Sequence, residues 1–385
     1  MQRREFLKSS AASCLLSMLP AAVLAAGGDA YGKLLILVEL NGGNDGLNTL
    51  VPYADQNYYG LRPRIGIARD QVLQLSEREG LHPSLAALMP LWKSGELAVV
   101  RGVGYPNPNL SHFRGIEIWD TASGSEEFLQ EGWLALAFRA YPVPKSFAAE
   151  GVVVGNSNLG PLIGGSRSVA ITNTEQFLRQ ASLVRGASLR AASNRALSHI
   201  LKVEDEITQA ARGLVGSKGL VTPFPQSLFG NAVRTAAMAL TGREPVAAIR
   251  LSLGSFDTHQ NQLETHAGLL RQLGEGMAAL KAALVELGRW DSTLVMTYAE
   301  FGRRPAENGS NGTDHGTANV HFVMGGRVKG GLHGEAPRLD RLDKGNLVHA
   351  VDFRNLYATA LQQWWGQDAA RALNGRFAPL DLIEA

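Results

Sequence analysis

Residues Leu34–Leu40 read "LLILVEL" and run directly into "NGGNDG", Asn41–Gly46. An apolar run of this length, closed by glycine and asparagine, reads as a buried strand ending in a tight turn. The segments that follow decide what kind of sheet it joins. "HPSLAALMPLW", His82–Trp92, has Leu85, Leu88, Leu91 and Trp92 recurring every three to four residues, with Pro83 suited to a first turn and Pro90 expected to kink or end the helix. "ELAVVRGVGY", Glu96–Tyr105, reads as the next strand. Strand, helix, strand is the order of a parallel sheet.

The same alternation returns downstream. "VAAIRLSL" (Val246–Leu253), "STLVMTY" (Ser292–Tyr298) and "VHFVMGG" from Val320 read as strands. Between the first two, Leu263, His266, Leu270, Leu273, Met277, Leu280 and Leu284 share one face of a long helix. His266 reads there as a packed histidine. Residues 187–215 are helical in composition, so they are expected to form an insertion or cap over the sheet, and "LGPLIGGS" (Leu159–Ser166) reads as a loop. The fold class is α/β with a mainly parallel sheet.

The first residues set the compartment. "MQRREFLK" places Arg3 and Arg4 before an apolar, small-residue stretch from Ser9 to Ala26, the pattern of a twin-arginine export signal. Residues 1–25 are expected to be removed, with a retained, uncleaved anchor as the alternative, and 26–385 to form one domain in the periplasm or outside the cell. The sole cysteine, Cys14, lies inside that signal, which leaves the mature chain without a disulfide, thiol nucleophile or thiolate ligand. The formal charge of +2 is the charge of the signal itself, from Arg3, Arg4 and Lys8 against Glu5. The remainder is near neutral, with no basic stripe of the kind nucleic acid requires.

Polar residues collect where the strands end. Asn41, Asn44 and Asp45 follow the first strand; Asp257 and His259 follow "VAAIRLSL" in "GSFDTHQ"; Glu300, Arg303, Arg304, Glu307, Asp314 and His315 follow "STLVMTY" in "AEFGRRPAENGSNGTDHG". In an open parallel sheet such segments leave one carboxyl edge, where ligands bind. Each also has a plain reading: "NGGND" is turn chemistry, Asp257 with His259 suits a helix cap, and paired arginines in a loop are commonly solvated. Ser111, in "YPNPNLSHFRGIEIWD", suits either a helix N-cap or a hydroxyl nucleophile beside a bound anion.

"ELNGGNDGLNTLVPYADQNYYGLRP", "LHPSLAALMPLWKSGELAVVRGVGYPNPNLSHFRGIEIWDTA", "FDTHQNQ" and "EFGRRPAENGSNGTDHG" together resemble the twin-arginine-exported domain-of-unknown-function 1501 family, from about Leu34 to Trp365. That family is similar to the alkaline phosphatase and sulfatase superfamily. The resemblance implies an α/β/α sandwich, one or two divalent metals with zinc a candidate, and a serine or threonine nucleophile. Carried over by residue, it implies metal ligands at Asp45, Asp257, His259, Asp314 and His315 and a nucleophile at Ser111. Beside such a site, Arg303 and Arg304 are expected to clamp the same anion through paired N–H donors, or else to be solvated. His333 falls where a last histidine ligand would stand. Two functions follow as expectations: an exported metal-dependent hydrolase of phosphoric or sulfuric esters, or a non-catalytic binding or assembly protein for an anionic or glycan ligand on the same fold. The twin-arginine export machinery is the one protein partner implied.

Overall fold

The computed structural model describes residues 31–165, 167–171, 213–214 and 219–384. The export signal expected at 1–25 and nearly all of the insertion expected at 187–215 lie outside the described residues. No helix among the described residues is long and apolar enough to cross a membrane.

Nine strands form the central sheet: β1 (Leu34–Leu40), β2 (Leu97–Gly104), β3 (Ala149–Val154), β4 (Ser168–Ile171), β5 (Val246–Leu253), β6 (Thr293–Tyr298), β7 (Asn319–Met324), β8 (Gly331–His333) and β9 (Val351–Asp352). Their order is β8-β2-β7-β6-β1-β5-β3-β4, with β9 also paired to β2. Every pairing is parallel except those of β7, which runs antiparallel to both β6 and β2. Since β7 opposes both of its neighbours, β2 points the same way as β6, β1 and β5. Their carboxyl ends therefore share one edge.

The apolar run that opened the reading explains the layers. Along β1, Leu34, Ile36, Val38 and Leu40 pack into one core, while Leu35 and Leu37 pack into another on the opposite face. A strand covered on both sides has no polar face, which is why it reads as a continuous rather than alternating run. One face carries α3 (Leu228–Ala239) and α4 (Gln262–Glu286), whose residues Leu270, Leu273, Met277, Leu280 and Leu284 are fully buried. The other face carries α1 (His112–Thr121), α2 (Trp133–Ala140) and α5 (Phe353–Ala358). The molecule is an α/β/α sandwich over a mainly parallel sheet. The expected helix at His82–Trp92 is a 3-10 turn over Pro83–Leu88 running into a short α-helix over Met89–Lys93, and Pro90 sits in the first turn of that second piece, where a missing N–H costs nothing. "LGPLIGGS" contains a 3-10 turn at Gly160–Leu162.

Several titratable groups are sealed in this interior, and they set its pH response. Burial pushes His82 down to about 4 and His266 and His321 down to about 3, while burial pushes Asp120 up to about 8 against the pull of Arg250. Below about pH 6.5 the unfolded chain takes up protons that the three folded histidines refuse, so stability falls with acid. Asp120 acts oppositely, because its contribution is present at low pH and is lost as pH rises towards 8. Each group contributes a slope of about 1.4 kcal/mol per pH unit in its window. Urea denaturation across pH 4.5 to 9 should therefore show a maximum near the histidine value of 6.5 and a steeper decline on the acid side. Unchanged stability between pH 6.5 and 4.5 would contradict the burial of these rings.

Candidate metal centre

Four loops leaving that edge bring their side chains together. After β1, Gly42 takes φ of +111°, and a Cβ there would lie 2.5 Å from the Asp257 backbone nitrogen. Only glycine lets the loop after β1 lie against the loop after β5. Gly312 fills the same need further on, since a Cβ would come within 2.2 Å of the His259 carbonyl carbon. The long loop after β6 then folds back as a two-stranded ribbon in which Arg303 pairs with His315.

Three histidines surround Asp257. Nε2 of His259 and of His315 lie 3.0 and 3.2 Å from its Oδ1, and Nε2 of His112 lies 3.4 Å from its Oδ2. Donor atoms of His112, Asp257 and His315 all fall within 4.8 Å of one another. Nε2 of His259 is 3.0 Å from Nε2 of His315, which joins the fourth side chain to the group.

Each ring is held from behind through its other nitrogen. Nδ1 of His112 is 2.8 Å from Glu300 Oε1, Nδ1 of His259 is 3.2 Å from Asp314 Oδ1, and Nδ1 of His315 is 2.8 Å from the Leu110 carbonyl. A carbonyl only accepts, so His315 carries its proton on Nδ1 and presents a lone pair at Nε2. Carboxylates fix the other two rings the same way. This is the arrangement that orients imidazoles as metal ligands. Glu300 is itself buried and pinned by the backbone N–H of Gly42 at 2.9 Å.

The electrostatics keep the central carboxylate ionised. Burial alone would raise Asp257, but the Arg303 guanidinium, 2.6 Å away, holds its carboxyl down at about 2. The hydrogen bond to Glu300 raises His112, and burial lowers His315. Two observations test the fit to a metal. Nε2 of His112 is buried with no hydrogen-bond partner. Nε2 of His259 and Nε2 of His315 face one another at 3.0 Å, where two neutral imidazoles would oppose lone pairs. A shared cation resolves both, and nitrogen donors with one carboxylate suit zinc and its first-row neighbours better than magnesium or calcium.

The structure places the sequence-derived candidates differently from one another. Asp257, His259 and His315 come together. Asp314 stands behind His259, where it orients the ring rather than pointing at the centre. Asp45 is apart: it is fully buried, bonded through both oxygens to Arg62 at 2.6 and 2.9 Å, and caps the short helix Gly46–Thr49 through Leu47 N–H. Both of its oxygens are taken by Arg62 and it is not among the donors that gather around Asp257, which removes it from the ligand set. Arg303 is no free clamp either, because its guanidinium donates to the carbonyls of Gly42, Gly43, Phe256 and Thr313 as well as to Asp257. Arg304 is exposed, and its guanidinium has no hydrogen bond or ion pair among the described residues.

Ser111 occupies the N-cap position of α1, yet its hydroxyl makes no cap hydrogen bond. It is exposed at the lip of the centre, one residue before His112. His266 is buried against Asn44, and His333 rests on the Lys329 carbonyl. Glu307 binds Arg64. The residue that sequence reasoning missed is His112. Its signal was its place: "YPNPNLSHF" leaves β2 at the same edge as the other three loops.

The chain belongs to the family described as protein of unknown function (DUF1501), whose model matches residues 76–375. No curated protein matches the sequence. Among solved structures, the chain is similar to a protein in the alkaline phosphatase superfamily from Vibrio parahaemolyticus, at 13% identity over 89% of this chain and 68% of that one, with a TM-score of 0.42. It is similar to the PsFucS1 sulfatase from Pseudoalteromonas sp. at 12% identity over 94% and 74%, TM-score 0.38. A third is the C-terminal periplasmic domain of EcEptC from Escherichia coli, in complex with Zn, at 9% identity over 76% and 72%, TM-score 0.37. These likenesses carry no inference about activity or ligand.

Proposed function

We propose that the protein is a metal-dependent hydrolase of phosphoric or sulfuric esters, with His112, Asp257, His259 and His315 holding one divalent cation of the zinc class. The observation that carries this reading is the orientation of three imidazoles: each is fixed through Nδ1 by an acceptor, and each turns Nε2 towards Asp257. When bound, the cation supplies Lewis acidity that offsets negative charge on the transferring group.

The chain's own residues provide the rest. Ser111 brings an uncommitted hydroxyl to the first turn of α1, where free backbone N–H groups and the helix dipole favour an anion. Glu300 keeps the His112 proton on Nδ1. Arg304, rather than Arg303, has donors left for a substrate oxygen.

Metal analysis of the purified protein should give about one zinc-class ion per chain. Ser111→Ala should abolish turnover of aryl phosphate or aryl sulfate esters while leaving metal content unchanged, because the hydroxyl holds no ion. Its missing cap bond means that stability should fall by less than the 0.5 to 2 kcal/mol, roughly, of a working N-cap. Stoichiometric metal without hydrolysis of either ester would instead favour the binding-protein alternative.

We propose further that the chain is exported by the twin-arginine route. Arg3 and Arg4 ahead of the apolar stretch support this. Changing both to lysine should hold the protein in the cytoplasm on fractionation, and undiminished export of that variant would remove the reading.

A further inference from the structure

A cavity of about 460 Å³ lies at the same sheet edge, between the end of β2, the start of β7 and the strap formed by residues 335–350. Its volume falls within the range of small-molecule sites. The floor is apolar, with Leu47, Leu50, Val320 and Leu347 all buried. Asn319 is the buried amide there, and it is spent internally: its Nδ2 donates to the Phe301 carbonyl at 3.1 Å and its Oδ1 accepts from Val320 N–H at 2.8 Å.

The wall is charged. Arg101, Arg338 and Arg341 line the cavity against one carboxylate, Glu335. The acids that compensate Arg101 and Arg338 are Glu79, at 2.6 Å, and Asp340, at 2.9 Å, and neither belongs to the cavity wall. The Arg341 guanidinium has no hydrogen bond or ion pair among the described residues, although the Asp340 carboxyl feels its charge. His349 on the same wall likewise has no hydrogen-bonded partner among them. The lining thus sets buried hydrocarbon beside one guanidinium, that of Arg341, with no partner among the described residues.

We propose that this cavity binds a small organic anion with an apolar body, of the chemistry of a medium-chain aliphatic carboxylate, with the chain over Leu47, Leu50 and Val320 and the anionic head at Arg341. None of His112, Asp257, His259 or His315 lines the cavity.

Calorimetric titration of the full chain with octanoate tests the proposal, with octan-1-ol as the uncharged comparison. Octanoate should bind saturably at one per chain, equally well before and after EDTA treatment. Octan-1-ol should bind roughly tenfold more weakly, and Arg341→Glu should weaken octanoate by roughly tenfold or more. Val348→Trp, at an exposed position on the lip, should also weaken octanoate while near-UV circular dichroism reports an intact fold. Four results would overturn the proposal: no saturable binding, binding removed by EDTA, octan-1-ol binding as tightly as octanoate, or binding unchanged in both variants.

Discussion

Replacing Arg62 with alanine is expected to destabilise the protein by about 3 to 5 kcal/mol, read from urea denaturation at neutral pH. Arg62 and Asp45 have side chains with no solvent exposure, so neither charge has water to fall back on. The guanidinium is fully used, donating to both Asp45 oxygens, to Asn48 Oδ1, and to the carbonyls of Pro305 and Arg304. Burial pushes the Asp45 carboxyl up and Arg62 pulls it further down, leaving it below its ordinary value. Without Arg62 that carboxylate is left buried with hydrogen bonds from Gln262 and Leu47 alone. Asp45→Asn in the Arg62→Ala background should recover part of the loss, because an amide costs less to bury than a charge. Metal content should be unchanged in any variant that folds. A loss below about 1 kcal/mol would mean that the pair is solvated and that Asp45 is free for another role.

This pair also shows where the sequence stops being legible. Buried strands announce themselves, because a chain covered on both faces must be apolar at successive positions, and β1, β5 and β6 lie within a residue of where "LLILVEL", "VAAIRLSL" and "STLVMTY" put them. Strand direction is not written in hydropathy, so the reversed pairing of β7 was invisible. The site is harder for a physical reason. An acid after a strand is the same letter whether a cation or an arginine neutralises it, and Arg62 stands 17 residues beyond Asp45 with nothing local to link them. Arg303 misleads in the same way, since four of its acceptors are backbone carbonyls, which have no sequence signature. His112 was overlooked beside Ser111 because a histidine becomes a ligand only through what holds its other nitrogen. Glu300 lies 188 residues away.

His315→Ala is expected to lower zinc affinity by well over the 10- to 100-fold, roughly, that losing one supporting hydrogen bond costs, measured by competition with a chelator. Its ring is held through both nitrogens. The Leu110 carbonyl fixes the proton on Nδ1, and Nε2 meets both Asp257 and His259. Removing it leaves His112 and His259 as the nitrogen donors, and the ribbon that pairs His315 with Arg303 is made by backbone, so the fold should survive. Glu300→Gln separates ligand from support. Glutamine keeps an acceptor for His112 Nδ1 but loses the charge that raises the ring's basicity, so zinc affinity should fall by about 10- to 100-fold and no further. A larger effect at Glu300 than at His315 would place the cation on the Glu300 side of the cluster. Affinity unchanged in a folded His315→Ala protein would remove the centre altogether, because His315 supplies one of the donor atoms that define it.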